Sequence, residues 1–400
     1  MALISHRMSR IKPSPTLAVS ARAAELKALG QDVISLGAGE PDFDTPDPIK
    51  KAAIKALSEG KTKYTAVEGI LALRKAIAKK FKEENEIEYT PDQIIVGAGA
   101  KQVIFNALLA TLNPRDEVII PAPYWVSYPD MVEVGEGTPV IVRCSAESQL
   151  KLTPENLAEA ITPKTKWLIL NSPNNPSGMA YTRKELEALA EVIRRTPHLY
   201  VLSDDIYEHL VYDEFDFTTL AQVAPDLKER ILTVNGLSKT YAMTGWRIGF
   251  GAGPRVLIEA MTTLQSQSTS HVTSITQEAA VVALEGSQDF IEEWVKIYTH
   301  RRDKALEILN KIPGLTCLKP QGAFYLYPSC VSLMGKKTPL KTIIGSDIDL
   351  ANYLLESAGV AVVPGAAFGL SPYFRISYAT DTDVLLEACH RISQAIGLLK

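Results

Sequence analysis

The sequence predicts an α/β protein with a largely parallel sheet that helices cover on both faces. Short apolar strands alternate with helices through the middle of the chain, as is typical of parallel strands joined by helical crossovers. Polar residues follow directly after several of these strands, which is where ligands bind in such sheets. From about Ser287 a long helix leads into shorter strands and helices, which predicts a second, smaller α+β domain.

The N-terminal part of the chain predicts a helix and a rigid loop. The helix covers residues 14–29, because Pro15 suits a first-turn position and Gly30 is a stop signal. A short strand at residues 33–36 precedes the loop 37–46, whose two glycines let the backbone approach another group closely. On its own such a loop is more often just a tight turn.

The next segments predict two helices, at residues 48–58 and 69–85, and then a strand, a glycine-containing turn and an apolar helix within residues 93–112. Such a turn directs backbone N–H groups and the positive end of a helix at an anion, most often phosphate. Many turns of this kind bind nothing, so the turn alone is compatible both with a phosphate site and with an ordinary connection between strand and helix.

Further strands and helices alternate from there to the middle of the chain. The predicted strands are residues 117–121, 138–143, 166–170, 200–203, 231–234 and 248–253, and the helices among them are 154–160 and 182–195. The strands are short and rich in apolar residues, as expected for strands buried on both faces. The C-terminal domain is predicted to contain helices at residues 289–312 and 347–358, and a last helix closes the chain.

The segment 235–247 carries the strongest chemical signal. Lys239 lies on a loop between two predicted core strands, directly after Ser238 and shortly before Arg247. A lysine that condenses with an aldehyde cofactor needs partial burial, which lowers its pKa, and a nearby cation that holds a phosphate. A solvated lysine after a turn is the alternative that Lys239 by itself leaves open.

The composition is that of an ordinary globular protein. The 400 residues carry a formal net charge of −4, and this slight acidity argues against nucleic acid or an anionic membrane as the main partner. The chain starts without the apolar run of a signal peptide, and no stretch is long enough to span a bilayer. The four cysteines form no Cys-x-x-Cys pair, which predicts reduced packing residues and no metal site. We therefore expect a cytoplasmic protein.

A series of motifs resembles those of the class I pyridoxal-phosphate aminotransferases, in that family's order and over nearly the whole chain. The closest likeness is to the bacterial aspartate aminotransferases, in the subgroup that often also accepts prephenate. The motifs are Gly99-Ala-Lys101, Tyr124-Trp125, Asn171-Ser-Pro-Asn-Asn-Pro-Ser-Gly178, Asp204-Asp-Ile-Tyr207, Ser238-Lys-Thr-Tyr-Ala-Met-Thr-Gly-Trp-Arg247 and Phe374-Arg-Ile-Ser377.

The resemblance implies the type I fold of pyridoxal-phosphate-dependent transferases. In that fold a mostly parallel seven-stranded sheet is sandwiched by helices, and a smaller α+β domain is attached to it. The large, cofactor-binding domain would comprise residues 48–288, and the small domain residues 1–47 and 289–400.

The resemblance also implies pyridoxal 5'-phosphate as the cofactor. Lys239 would bind it covalently and then move the Cα proton of the substrate, while Asp204 would pair with the pyridine nitrogen. Asn175 and Tyr207 would hydrogen-bond the ring oxygen O3′, and Trp125 would stack on the ring. Taken singly, these residues have ordinary alternatives in helix caps, turns and core packing.

The phosphate group would be held from both subunits of a dimer. The residues implied are Gly99, the backbone N–H groups of Ala100 and Lys101, Ser238, Arg247 and, from the neighbouring subunit, Tyr64. Many family members have glycine at the position of Ala100, which matters little for a backbone contact. The segment after Gly69 also departs from the common pattern. If Tyr64 has this role, the protein is an obligate homodimer with shared active sites; otherwise Tyr64 anchors a loop.

For the substrate, Arg375 resembles the arginine that binds the α-carboxylate, assisted by the Gly39 N–H and by Asn175. Lys101 would meet the distal carboxylate of aspartate or glutamate beside Trp125, with help from Thr16. Lys12 resembles the residue associated with prephenate, although a solvated lysine near the chain end is an equal alternative.

These assignments predict transfer of the amino group from L-aspartate to 2-oxoglutarate, giving oxaloacetate and L-glutamate, by a ping-pong mechanism. Prephenate is expected as a further amino acceptor. The alternatives are an aromatic or kynurenine-type aminotransferase, a β-lyase on the same scaffold, and a regulator that uses the fold to sense a ligand. Such a regulator carries an additional N-terminal helix-turn-helix unit, and the sequence has no basic leader of that kind.

Overall fold

The computed structural model describes residues 3–13 and 15–400. Met1, Ala2 and Ser14 lie outside the described residues. Ser14 is the predicted first residue of the N-terminal helix, so that prediction also lies outside them. The α-helices within the described part are α1 (Pro15–Ala28), α2 (Asp47–Ser58), α3 (Leu71–Asn85), α4 (Ala100–Thr111), α5 (Ser127–Val134), α6 (Pro154–Ala160), α7 (Arg183–Arg194), α8 (Leu220–Val223), α9 (Arg255–Ser266), α10 (Ser274–Glu285), α11 (Asp289–Leu309), α12 (Asp347–Ala358) and α13 (Thr382–Gly397).

The strands of the same residues form one large sheet and two small ones. They are β1 (Ile34–Ser35), β2 (Ile94–Gly97), β3 (Glu117–Ala122), β4 (Thr138–Arg143), β5 (Thr165–Asn171), β6 (Tyr200–Asp204), β7 (Ile231–Gly236), β8 (Gly249–Ala252), β9 (Tyr325–Leu326), β10 (Val360–Ala361), β11 (Val363–Pro364) and β12 (Phe374–Ser377).

The large sheet has seven strands in the order β2-β8-β7-β6-β5-β3-β4. Strand β8 is antiparallel to both of its neighbours, and the other pairs are parallel. Asn171 at the end of β5 is paired with Asp204 of β6, which in turn is paired with Val234 of β7. This register brings the ends of three strands to one edge of the sheet, and the predicted fold class is confirmed.

Helices cover both faces of this sheet because its strands alternate their apolar side chains between two cores. In β2, Ile94 and Val96 belong to the core that includes residues of α2, α3, α7 and α10. Ile95 between them belongs to the opposite core, which includes residues of α4, α5 and α9. Strands with both faces buried in this way read as continuous apolar runs in the sequence.

The C-terminal part of the chain forms the predicted α+β arrangement. Strands β11, β12 and β9 form an antiparallel sheet that packs with α11, α12 and α13 around a third core. The N-terminal segment joins this part, because β1 pairs in parallel with β10 and Asp32 bonds the guanidinium of Arg391 at 2.6 Å. The exact domain limits at residues 48 and 288 stay a prediction.

Among residues 3–13 and 15–400, none of the helices combines the length and the apolar composition that a membrane span requires.

Candidate active site

A cavity of about 540 Å³ lies at the sheet edge where β5 and β6 end and the loop after β7 begins. It brings together most of the residues that the sequence analysis singled out. These are Thr16, Gly39, Gly99, Ala100, Lys101, Trp125, Asn175, Asp204, Tyr207, Ser238, Lys239, Arg247 and Arg375.

Lys239 lies in this cavity, and its amine donates a hydrogen bond to the carbonyl oxygen of Gly39 at 2.5 Å. Burial, together with the nearby guanidinium of Arg375, lowers the pKa of Lys239 to about 8. An amine with such a pKa is present in its neutral, nucleophilic form in a substantial fraction near neutral pH.

Asp204 lies at the end of β6, near Lys239, and a tyrosine hydroxyl holds its carboxylate in place. The hydroxyl of Tyr128 donates to Asp204 Oδ2 at 2.6 Å, and Asn171 Nδ2 donates to the Asp204 carbonyl at 2.8 Å. Burial raises the pKa of Asp204 to about 6, an effect that the Tyr128 hydrogen bond opposes. A buried carboxylate in this state is poised to pair with a cationic ring nitrogen.

Arg375 is a buried cation whose neighbours leave one nitrogen without a partner. Its Nη1 donates to Asn175 Oδ1 at 2.8 Å and its Nη2 to the Gly37 carbonyl at 2.6 Å. The described residues provide no hydrogen-bond partner for its Nε, and burial lowers the pKa of Arg375. Because an unpaired buried donor is costly, the site fits an anionic ligand such as a carboxylate.

The turn before α4 has the form of a phosphate cradle. Gly99 has a φ of +83°, and a Cβ atom at this position would lie 2.6 Å from Arg247 Nη2. The guanidinium of Arg247 is fixed by bonds to the carbonyls of Thr244 (2.7 Å) and Ala98 (3.2 Å). The first N–H groups of α4 have no partner within the helix, so they and Arg247 offer donors to one phosphate. Ser238 lines the same side of the cavity.

A fourth cation, Lys101, lies beside an aromatic ring of the cavity. The ammonium of Lys101 lies 4.8 Å from the centroid of the Trp125 ring, a cation–π distance. Partial burial and the nearby Arg247 lower the pKa of Lys101. With Arg375 and Lys239, this gives the cavity a cationic character that suits a ligand with more than one anionic group.

Two predicted residues lie outside this cavity. Tyr64 is 92% exposed. Among the aromatic rings of the described residues, it contacts that of His271, with 5.7 Å between the ring centroids. Lys12 lines a separate cleft on α5 and donates through its backbone N–H to Asp130 at 3.4 Å. Within a single chain, neither residue reaches the predicted cofactor or substrate position.

The sequence analysis missed several residues that the structure places in the site. Tyr128, Tyr325 and Glu40 are the main ones. Glu40 accepts a hydrogen bond from Thr244 at 2.9 Å, and Tyr325 bonds Tyr207 at 2.8 Å. A buried tyrosine has no sequence signal that separates it from ordinary core packing. The position of Tyr128 three residues after Trp125 could have suggested a shared helix turn.

A buried polar network lies directly behind the site. Lys80 forms an ion pair with Glu208, and Asn85 and Asn235 donate to the same carboxylate at 3.1 and 2.7 Å. Glu208 follows Tyr207, and Asn235 precedes the loop that carries Lys239, so one carboxylate ties together both loops. Glu84, Glu208 and His209 could also hold a metal ion. The ammonium of Lys80 contacts both carboxylates, since it also lies 3.5 Å from Glu84, and we assign no metal to this cluster.

Comparisons with known sequences agree over nearly the full chain. A family model described as aminotransferase class I and II matches residues 31–392. The aspartate/prephenate aminotransferase of Cereibacter sphaeroides is 59% identical over 392 residues, 98% of this chain and 98% of that protein. A probable aspartate/prephenate aminotransferase of Rickettsia felis is 58% identical over 397 residues, 99% of this chain and 97% of that protein.

Solved structures give the same result. The crystal structure of the aspartate aminotransferase from Rhizobium meliloti superposes with a TM-score of 0.98 at 54% identity and covers 100% of both chains. The aspartate aminotransferase from Thermus thermophilus with maleate has a TM-score of 0.92 at 44% identity. That match covers 99% of this chain and 100% of the other.

The lowered pKa of Lys239 can be tested on protein from which any bound aldehyde has been removed. Because only the neutral amine is nucleophilic, labelling of Lys239 by an amine-directed reagent should rise with pH around a midpoint of about 8. Peptide mass spectrometry of samples labelled at a series of pH values measures this midpoint. Lys50 is the internal control, since its bond to Asp47 raises the pKa of that lysine. Equal midpoints for the two lysines would contradict the prediction.

Proposed function

The chain belongs to the class I and II aminotransferases, and from this premise we propose that it transfers the amino group of L-aspartate to 2-oxoglutarate, with prephenate as a further acceptor. The observation that supports this most directly is the single cavity in which the Lys239 amine, the Asp204 carboxylate and the Arg375 guanidinium meet. Enzymes of this family use pyridoxal 5'-phosphate, and we propose the same cofactor for this chain.

The residues of the cavity fit this cofactor. Asp204, held by Tyr128, would pair with the pyridine nitrogen, and Asn175 and Tyr207 would donate to the ring oxygen O3′. Trp125 would cover one face of the ring. The phosphate would be bound by Gly99, the backbone N–H groups of Ala100 and Lys101, Ser238, Arg247 and the Tyr64 of a second subunit. When bound, the cofactor supplies an electron sink that stabilises the negative charge left on Cα after proton removal.

Lys239 has two functions in this proposal. Its neutral amine would first attach the cofactor, and after the amino-acid substrate takes its place the freed amine would move a proton from Cα. A pKa of about 8 is close to the working pH, and such a match favours a group that must both accept and return a proton. The carboxylates of Glu40 and Asp204 act in the opposite direction to burial and raise the pKa of Lys239, Glu40 more than Asp204.

Arg375 and Lys101 would select the substrate. Arg375 offers a planar fork to the α-carboxylate, with Asn175 and the Gly39 N–H beside it. Lys101, on the opposite wall beside Trp125 and Thr16, would bind a distal carboxylate, which favours four- and five-carbon dicarboxylic acids over purely apolar amino acids. Lys12 is proposed to contribute to prephenate binding after a movement of the N-terminal segment. An aromatic or kynurenine-type aminotransferase is the alternative within the family.

We also propose that the protein is a cytoplasmic homodimer. The cysteines of the described residues, Cys144, Cys317, Cys330 and Cys389, are all unpaired and buried, which suits a reducing compartment. The dimer is supported by Tyr64, because a tyrosine that is 92% exposed on a loop fixed from behind is available to another chain. Gln277 fixes this loop by donating to Thr65 Oγ1 at 3.1 Å and accepting from the Ile70 N–H at 2.7 Å.

The covalent role of Lys239 is tested by borohydride reduction of the purified holoprotein. Reduction should fix one cofactor mass on the peptide that contains Lys239, because borohydride converts the carbon–nitrogen double bond to a stable amine. The variant Lys239→Ala should carry no such mass and should have no measurable transaminase activity, while its overall fold is retained by circular dichroism. Modification of another lysine in the wild-type protein would refute the assignment.

The substrate role of Lys101 is tested by kinetics. Lys101→Ala should lower kcat/KM for aspartate by about 10- to 100-fold, because one charge-assisted hydrogen bond to the distal carboxylate is lost. The value for phenylalanine, which lacks that carboxylate, should change much less. Lys12→Ala is the matched control for the aspartate reaction, with prephenate as its diagnostic substrate. An unchanged preference of Lys101→Ala for aspartate over phenylalanine would rule out this role.

Shared active sites are tested with hybrid dimers made by co-expression under two affinity tags. Pairing Tyr64→Ala with Lys239→Ala should give one intact site, since the Lys239→Ala chain still supplies Tyr64 to its partner. The hybrid should therefore recover about half of the wild-type activity at limiting cofactor. The control pairs wild type with the double variant Tyr64→Ala/Lys239→Ala, which leaves no intact site. Equal activities of the two hybrids would count against the sharing.

A further inference from the structure

Tyr325 is a buried phenol directly behind the cavity, in contact with three residues that line it: Tyr207, Arg375 and Gly39. Its hydroxyl oxygen lies 2.8 Å from the hydroxyl oxygen of Tyr207. Its ring lies under the guanidinium of Arg375, with 4.5 Å between Arg375 Cζ and the ring centroid. A Cβ atom at Gly39 would lie 2.9 Å from its hydroxyl oxygen, so Tyr325 also touches the loop that accepts the Lys239 hydrogen bond.

The hydrogen bond between the two phenols has a direction that the proposed function determines. Each neutral phenol carries one proton, and burial raises the pKa of both Tyr207 and Tyr325, so both are neutral at physiological pH. If Tyr207 donates its proton to the ring oxygen of the cofactor, it has none left for Tyr325. Tyr325 must then be the donor and the Tyr207 oxygen the acceptor.

A donor behind Tyr207 makes Tyr207 itself a stronger donor. In a chain of hydroxyl groups each hydrogen bond polarises the next one, and the effect is larger in a buried site than in water. The chain here runs from Tyr325 through Tyr207 to the ring oxygen. Arg375 strengthens its first step, because the positive charge above the Tyr325 ring favours release of the phenolic proton.

We propose that Tyr325 is a positioning residue that fixes Tyr207 as a proton donor toward the ring oxygen of the cofactor. The proposal rests on the proposed function, because it requires Tyr207 to face that oxygen. The two parts of the side chain have separable effects: the hydroxyl acts on Tyr207, and the ring supports the Arg375 guanidinium. Tyr325→Phe removes the hydroxyl and keeps the ring, so it isolates the effect on Tyr207.

The test is a pH titration of the visible absorbance of the cofactor in the holoenzyme. Without the Tyr325 hydroxyl, Tyr207 stabilises the charged ring oxygen less, and the protonated form of the cofactor persists to higher pH. The midpoint in Tyr325→Phe should therefore rise by about half to one pH unit, as expected for the loss of one hydrogen bond. KM for aspartate should change little, since the ring under Arg375 remains, while kcat falls.

Tyr378→Phe is the matched control. Tyr378 is equally buried in the same core, and its hydroxyl donates to the Ala323 carbonyl at 3.2 Å without contacting Tyr207. Its removal should leave the midpoint unchanged. A second measurement uses Tyr207→Phe: with the acceptor gone, adding Tyr325→Phe should produce no further shift, because the two hydroxyl groups act in one chain.

Three results would overturn the proposal. The first is a Tyr325→Phe holoenzyme whose absorbance titrates with the same midpoint pH as the wild type. The second is a double variant in which Tyr325→Phe raises the midpoint pH of Tyr207→Phe as much as it raises that of the wild type. The third is a Tyr325→Phe protein that fails to fold while Tyr378→Phe folds, because the hydroxyl would then serve the fold itself. Failure of the proposed function would look different, because the wild-type protein would then show no visible absorbance from a cofactor bound to Lys239.

Discussion

The active site depends on charged groups that are held largely out of water. Arg375 and Asp204 are buried, and the amine of Lys239 lies close to both. Removal of water shifts the pKa of the lysine down and that of the aspartate up, so both groups titrate near neutral pH instead of at the extremes. The same burial makes an unpaired charge costly, and each of the three charged groups has at least one fixed partner: Gly39 for Lys239, Tyr128 for Asp204, and Asn175 for Arg375.

This arrangement requires a rigid frame, which the sheet and the network behind it provide. The register of β5, β6 and β7 fixes Asn171, Asp204 and Val234 side by side. Glu208 then ties the loops after β6 and β7 to α3 through its ion pair with Lys80. A buried ion pair contributes little net stability against an apolar alternative. Its value here is geometric, because the same Glu208 carboxylate accepts from Asn235 and so links the loop of Tyr207 to the strand that leads to Lys239.

The sequence predicted the frame and the charged residues better than it predicted their supports. Strands buried on both faces are continuous apolar runs, so β3 to β7 were placed within one or two residues. Most of the residues proposed to bind the cofactor lie after those strands in recognisable motifs. Helices α5, α8, α9 and α10 were not assigned; none of them begins with a side-chain cap hydrogen bond, so the start signal that a capping side chain provides is missing. Tyr128 and Tyr325 were missed for a related reason: contacts between residues far apart in sequence leave no local pattern.

The loop at residues 37–46 contacts cations from three distant parts of the chain. The Gly37 carbonyl accepts from Arg375 and the Gly39 carbonyl from Lys239, while Asp42 pairs with Arg301 at 2.9 Å. Carbonyl dipoles compensate a buried cation only in part, whereas a carboxylate carries a full opposite charge. An anionic substrate therefore gains by replacing these contacts and a neutral analogue does not. On the proposed function, selectivity for carboxylates follows because backbone carbonyls compensate the charges of Arg375 and Lys239 only in part.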